Sequence, residues 1–281
     1  MYEILVKKEL APSVKLFEVA APQIARKAQA GQFVILRVDA EGERVPLTIA
    51  DFNRETGSIT IIFQEVGAST KLLGQLEVGD ALHDFVGPLG QPTHVENFGT
   101  VVCVGGGIGI APVYPIARAM KEAGNKVISI IGARSKDILI YEEEMASVSD
   151  ELIITTDDGT KGRKALVTEP LKELLDGSAP VNLVVAIGPV IMMKFVAETT
   201  RPYGVHTVAS LNPIMVDGTG MCGGCRVAVG KENKFACVDG PEFDAHLVDF
   251  DNLMARQRMY KRQEKDHSDH CEGGSCKCQS H

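Results

Sequence analysis

The run TVVCVGGGIGIAPVYPIARAMKEAG, residues 100–124, decides the fold: an apolar strand, a glycine-rich turn from Gly105 through Gly106, Gly107 and Ile108 to Gly109, and a helix expected to begin near Pro112. Glycines allow a backbone to approach a pyrophosphate with no Cβ in the way, and a helix start offers unpaired N–H groups and the positive end of its dipole. Ala111 and Pro112 fall in the first helical turn, where proline is tolerated because those N–H groups have no intrahelical partner. The turn lacks the spacing of the full dinucleotide fingerprint, so a plain tight strand-to-helix turn is the alternative.

Downstream the same grammar repeats. KVISIIGA, LIITTDDG, NLVVAIGP and HTVASLN read as continuously apolar strands, alternating with the helical segments YEEEMASV, ALVTEPLKELLDG and MMKFVAETTRPYG. Such alternation predicts a Rossmann-like parallel α/β domain, covered on both faces, over residues 98–212. Upstream, YEILVKK, SVKLFEV, QFVILRV, SITIIFQEV and ALHDFVG are short strands punctuated by turn residues. They predict an N-terminal antiparallel β-barrel over residues 1–97. Residues 213–260 carry glycine and cysteine in neither pattern before a short helix, and 261–281 contain no aliphatic residue, so a disordered tail is expected there.

The chain has 281 residues, 44% of them hydrophobic, enough for two cores and a small third lobe. A formal charge of -8 with no long basic run argues against nucleic acid and an anionic membrane as partners. No signal peptide and no stretch of about 18 apolar residues is visible, so a cytoplasmic location is expected. In that compartment seven cysteines argue for metal chemistry over disulfides. Cys103, inside an apolar strand, reads as a small buried hydrophobe.

The other cysteines lie beyond residue 220, and Asp217-Gly-Thr-Gly-Met-Cys222-Gly-Gly-Cys225, followed by Cys237, is the most specific motif in the chain. With a cysteine in place of Asp217 the spacing would be that of a plant-type [2Fe-2S] site, whose intervening glycines turn N–H groups toward the sulfides. Structural zinc is the competing reading, since three cysteines and one further ligand suit that ion. Asp217 itself also reads as a simple turn residue, Asp-Gly being a common hairpin dipeptide. In the barrel segment, Arg44 can neutralise a pyrophosphate, Thr48 can hydrogen-bond a flavin edge, and the turn Gly67-Ala-Ser69-Thr70 can offer donors to phosphate. Alone, each is an ordinary strand end or turn.

Taken in order, RVPLT, GAST, GPLG at 87–90 and GGGIGIAP resemble the ferredoxin-NADP reductase superfamily, particularly the branch that contains the electron-transfer subunit of dihydroorotate dehydrogenase. The resemblance implies FAD lined by Arg44, Pro46, Leu47, Thr48, Gly67, Ser69 and Thr70, with Thr48 near the isoalloxazine, and a pyridine nucleotide facing Gly105 to Gly109 and Gly188-Pro189. Many reductases carry an aromatic residue where Pro46 or its neighbour stands. VDGTGMCGGCRV is similar to the small subunits of NADH-dependent reduced ferredoxin:NADP oxidoreductases, electron-bifurcating enzymes in which an aspartate takes one cluster-ligand position. That likeness implies Asp217, Cys222, Cys225 and Cys237 as ligands of a [2Fe-2S] cluster. It also implies a larger partner subunit with a second FAD, [4Fe-4S] clusters and the NADP site, through which ferredoxin is reached. The alternatives are an electron-transfer subunit of dihydroorotate dehydrogenase or of a soluble hydrogenase, and a redox-sensing subunit without turnover.

Asp157 and Asp158, after LIITT, would repel a 2'-phosphate and can accept hydrogen bonds from a ribose diol, which favours NAD(H); Arg134, after the preceding strand, pulls toward a phosphate. Glu142, Glu143 and Glu144 read as a solvated helix start. Met192 and Met193 read as core residues that could instead border the nicotinamide. The tail residues His267, His270, Cys271, Cys276, Cys278 and His281 could bind a metal adventitiously.

Overall fold

The computed structural model describes residues 2–260; Met1 and 261–281, where the tail reading falls, lie outside the described residues. Seven strands form the first unit: β1 (Tyr2–Ala11), β2 (Val14–Ala20), β3 (Phe33–Arg37), β4 (Val45–Asn53), β5 (Ser58–Gln64), β6 (Ala81–Leu82) and β7 (Asp84–Leu89). They are ordered β6-β1-β2-β5-β4-β3-β7, all antiparallel. Only His83 separates β6 from β7, so one extended segment pairs with β1 at one end and β3 at the other. This nearly closes the sheet into a barrel and leaves little unpaired edge. Helices α1 (Pro22–Lys27) and α2 (Ala68–Gln75) bridge its strands. The interior is filled by Phe17, Val34, Leu36, Ile49, Ile59, Ile61, Phe63 and Phe85, with Phe17 and Phe63 edge to face at 5.1 Å.

The second sheet consists of β8 (Thr100–Gly106), β9 (Lys126–Ala133), β10 (Glu151–Thr156), β11 (Arg163–Lys164), β12 (Leu183–Ile187) and β13 (His206–Ser210), all parallel. Alternation divides its central strand between two cores. Val101 and Cys103 face α3 (Ile110–Glu122) and α4 (Glu142–Val148), whereas Val102 and Val104 face α5 (Thr168–Asp176) and α6 (Val190–Thr200). Helix α3 starts at Ile110, two residues earlier than the sequence suggests, because the glycine turn continues directly into it as a single 3-10 turn. Glu142 to Glu144 open α4 as expected, and Cys103 is fully buried, its thiol pushed up to about 12 by burial.

Beyond the second sheet, β14 (Arg226–Val229) and β15 (Glu232–Phe235) form a small hairpin, and β16 (Glu242–Asp244) pairs antiparallel with β13 before α7 (Phe250–Gln257). The apolar run HTVASLN is therefore not the sheet's edge. The cysteine segment is an excursion that leaves the sheet after β13 and returns to it through β16.

The three units share apolar cores. Phe33 and Ile35 of the barrel pack in one buried cluster with Val104 and Ala186 of the sheet and Cys225, Val227 and Cys237 of the small lobe. Ala30 and Ala50 of the barrel join the cluster around α3. Between them, Arg118 of α3 pairs with Asp51 of β4 at 2.6 Å and stacks over Phe52 and Tyr114.

Candidate cofactor and cluster sites

The chain runs from β8 outward through β9 and β10, then crosses back to place β12 on the other side of β8, in the order β11-β10-β9-β8-β12-β13-β16. The crevice at the carboxyl ends of β8 and β12 is thus the topological switch point where open α/β sheets bind ligands. Both glycine motifs meet there. A Cβ on Gly109 would stand 2.5 Å from the Ile187 carbonyl oxygen and 2.7 Å from Gly188 Cα, so the two turns approach backbone to backbone. No side chain caps the glycine turn or the start of α3, whose Ile110 N–H is taken by the carbonyls of Gly107 and Ile108. Ile108 is exposed on the turn, and Gly107 has open space above it. Ala111 is buried in the core, so it offers the crevice only its backbone, while Pro112 stays half-buried. Met193 is a core residue; Met192 packs on the core and also against Gly106 and Gly188, at the floor of the crevice.

Arg134, Asp157 and Asp158 come together beside it: Asp157 N–H donates to the Ala133 carbonyl at 3.1 Å and Asp158 N–H to that of Arg134 at 3.2 Å. The Asp158 carboxylate is occupied by its own loop, accepting from Thr160 N–H and O–H at 2.9 and 2.7 Å, bonds that hold it below the usual carboxylate range. Asp157 remains exposed.

In the barrel, the pleat of β4 divides the RVPLT residues. Val45, Leu47 and Ile49 pack into the barrel interior, while Ala50 packs into the core around α3. Leu47, half-buried, packs its side chain against the barrel core, and Pro46 and Thr48 alternate onto the opposite face. Gly67 to Thr70 form the start of α2. Thr70 is taken up locally: its hydroxyl accepts from Val66 and Gly67 N–H, both at 3.1 Å, and donates to the Gly67 carbonyl. Ser69 donates to Glu43 at 2.8 Å, which brings the two barrel motifs side by side. Glu43 had no sequence signal, being one acid in the polar loop before β4.

In the small lobe, Cys225 and Cys237 are buried with sulfurs 3.2 Å apart. Burial, then the neighbouring Cys225, pushes the Cys237 thiol up to about 12. Cys222 is exposed and accepts the Gly224 N–H at 3.4 Å; N–H groups of Gly224 and Asp217 hold its thiol below the ordinary value. The Asp217 carboxylate is lowered by Thr219, whose hydroxyl and N–H both donate to Oδ2, the N–H at 2.9 Å; Met221 N–H reaches the same oxygen at 3.4 Å. Among the described residues, no three Cys, His, Asp or Glu side chains close on one point as they would around a single ion. The donors form one close sulfur pair plus Cys222 and Asp217 on the adjoining loop. This set fits an iron-sulfur cluster chemically: two buried sulfurs lie side by side, a third sulfur and a carboxylate stand on the adjoining loop, and a backbone N–H faces the exposed sulfur.

Two parts of the chain match known families. Residues 103–198 match the oxidoreductase NAD-binding domain family, and residues 212–249 the iron-sulfur cluster binding domain of dihydroorotate dehydrogenase B. The chain is 48% identical over 263 residues to a dihydroorotate dehydrogenase B (NAD(+)) electron transfer subunit homolog of Thermotoga maritima, covering 94% of this chain and 93% of that one. It is similar to the solved structure of an NADH-dependent reduced ferredoxin-NADP oxidoreductase studied for flavin-based electron bifurcation, with a TM-score of 0.91, 46% identity, and 96% and 97% of the two chains covered. Phthalate dioxygenase reductase shares the fold alone, at 19% identity and a TM-score of 0.59 over 81% of this chain and 85% of that one. No helix among the described residues is long and apolar enough to cross a membrane.

Proposed function

We propose, from the premise that the chain belongs to the family of dihydroorotate dehydrogenase B electron-transfer subunits and their homologues, that it is the NAD(H)-linked FAD and [2Fe-2S] subunit of an electron-bifurcating NADH-dependent ferredoxin:NADP oxidoreductase. When bound, the flavin supplies exchange between a hydride and single electrons, and the cluster carries one electron at a time. The chain's own residues bind, orient and insulate these groups. Gly105 to Gly109 and Gly188 let the nucleotide pyrophosphate reach the uncapped start of α3. Asp157 accepts from a ribose hydroxyl and repels a 2'-phosphate, which favours NAD(H) against the opposing pull of Arg134. Pro46 and Thr48 present the cleft face of β4 to the flavin, and Ser69 beside them donates to a flavin phosphate once it exchanges its bond to Glu43 for that acceptor. Asp217, Cys222, Cys225 and Cys237 hold the cluster.

The observation that carries this reading is the shared core: barrel residues Phe33 and Ile35, sheet residues Val104 and Ala186, and cluster-lobe residues Cys225 and Cys237 bury one another. Electron transfer needs centres held at fixed short spacing, and a continuous close-packed core provides that. With no CxxCxxC series of the kind that holds [4Fe-4S] clusters, the chain passes its electrons to a larger subunit that carries a second flavin, [4Fe-4S] clusters and the NADP site, and through it to ferredoxin. We place this assembly in the cytoplasm, where the free thiols of Cys222, Cys225 and Cys237 stay reduced until metal arrives.

Anaerobic purification with flavin and iron analysis tests the reading, together with diaphorase kinetics. The expected result is a coloured protein with FAD and about two irons, reducing a one-electron acceptor with NADH at a lower KM than with NADPH. A colourless, inactive protein refutes it. An electron-transfer role in dihydroorotate dehydrogenase is the second reading, favoured by the match over residues 212–249; co-purification with a flavin-bearing TIM-barrel partner would establish it instead.

A further inference from the structure

Between the barrel and the cluster lobe lies a cavity of about 300 Å³ lined by Ile35, Leu36, Arg37, Arg44, Asp84, Val86, Asp217 and Thr219. Two arginines enter it, with different fates. Arg37 is committed to the barrel: Nε and Nη2 both donate to Asp84 Oδ2 at 2.8 Å, and Nη1 to the Ala40 carbonyl at 3.0 Å. Among the described residues of the barrel, Arg44 has no such partner. Its Nη1 lies 3.8 Å from Asp217 Oδ1, across the junction.

The lobe's loop is fixed against the barrel at this point. Gly218, at φ +81°, is pressed so closely to β3 that a Cβ would stand 2.3 Å from the Ile35 side chain, which holds the backbone next to Asp217 against the barrel. The two carboxylate oxygens are then inequivalent. Oδ2 takes the donors of its own loop, from Thr219 and Met221, whereas Oδ1 faces Arg44. A thiolate offers one sulfur to metal and donor alike; a carboxylate can give one oxygen to iron and keep the other for a charged neighbour, whose pull weakens its donation.

We propose that Arg44 is a positioning residue for the carboxylate ligand of the cluster, orienting Asp217 from the barrel and raising the potential at which the cluster accepts an electron, in place of the pyrophosphate-anchoring role that its motif implies. This rests on the reading of Asp217 as an iron ligand.

The test uses the anaerobically purified full chain as wild type, Arg44→Gln and Arg44→Lys, comparing flavin content, iron content, the EPR spectrum of the reduced cluster and its midpoint potential. Arg44→Gln is expected to keep its flavin, alter the EPR spectrum and move the midpoint negative by about a tenfold change in the reduction equilibrium, about 59 mV for one electron. Arg44→Lys should restore most of that shift, because the charge is kept. Should the glutamine variant fold poorly, wild type alone suffices: a half-exposed pair is screened by salt, so its midpoint should fall as ionic strength rises. A glutamine variant with unchanged spectrum and midpoint overturns the proposal, and so does one that loses flavin while its cluster is unaffected. A wild-type protein without a [2Fe-2S] signal would instead remove the ligand reading beneath it.

Discussion

Glu242 sits where all three units meet, and replacing it by glutamine should make the protein more stable at pH 8 than at pH 5 relative to wild type. Its carboxyl is mostly enclosed: Thr93, in the connection between barrel and sheet, donates to Oε1 at 2.6 Å, and a Cβ on Gly31 of the barrel would stand 2.8 Å from that oxygen. Burial, only partly offset by the Thr93 bond, pushes Glu242 up to about 7. An unfolded chain titrates near the ordinary glutamate value of about 4.3. Below that value both states are protonated and the residue makes no difference. As pH rises from about 4.3 toward about 7, the unfolded chain releases its proton while the folded protein retains its own, so stability falls; above about 7 the loss is complete. At about 1.4 kcal/mol per tenfold, the total is about 4 kcal/mol, and nearer 2 kcal/mol because part of the side chain still reaches solvent. Glutamine accepts the same Thr93 hydrogen bond through its amide oxygen and never ionises. Thermal unfolding followed by circular dichroism at pH 5 and pH 8 is the assay. The variant should melt within a degree or so of wild type at pH 5 and about 5 °C higher at pH 8. An offset between the two proteins that is the same at both pH values would show that the carboxyl is already ionised in the fold, and the burial argument would fail.

Gly109→Ala should raise the KM for NADH at least about tenfold, a loss of about 1.4 kcal/mol, while flavin and iron contents stay at wild-type levels. The added methyl meets backbone, the Ile187 carbonyl and Gly188 Cα, so the two crevice turns must part; steady-state diaphorase kinetics check this, and an unchanged KM would dissociate that close approach from nucleotide binding. Asp217→Cys should give a different EPR spectrum and a more negative midpoint, since thiolate is the stronger electron donor to iron; redox titration decides it, and indistinguishable spectra would return Asp217 to a turn role.

Much of this architecture was legible from local patterns. Continuous apolar strands alternating with helices identified the parallel sheet, and the glycines between Val104 and Ile110 marked its first strand-to-helix turn, because strand propensity and the tolerance of glycine for close backbone approach act over a few residues at a time. The cysteine spacing likewise located the metal lobe. Other features were hidden for equally physical reasons. β16 is three residues long and its sequence, EFD, is indistinguishable from loop; only pairing with β13 makes it a strand. Leu47 lies inside the flavin motif by sequence, yet the pleat of β4 turns it into the barrel. Thr70 looks like a phosphate donor, yet it spends its hydroxyl on the first turn of its own helix.

By itself, then, the amino-acid order determined the strands and helices of the central sheet and which side chains have the chemistry for nucleotide, flavin and iron, since these follow from steric and bonding preferences of neighbouring residues. Tertiary structure alone decided which of those groups meet. Glu242 finds Thr93 across 149 positions, Gly109 finds the Ile187 turn, and Arg44 finds Asp217, because burying two faces of one sheet brings distant chain segments to the same place. Pairings made by such packing leave no mark in the spacing of the residues concerned.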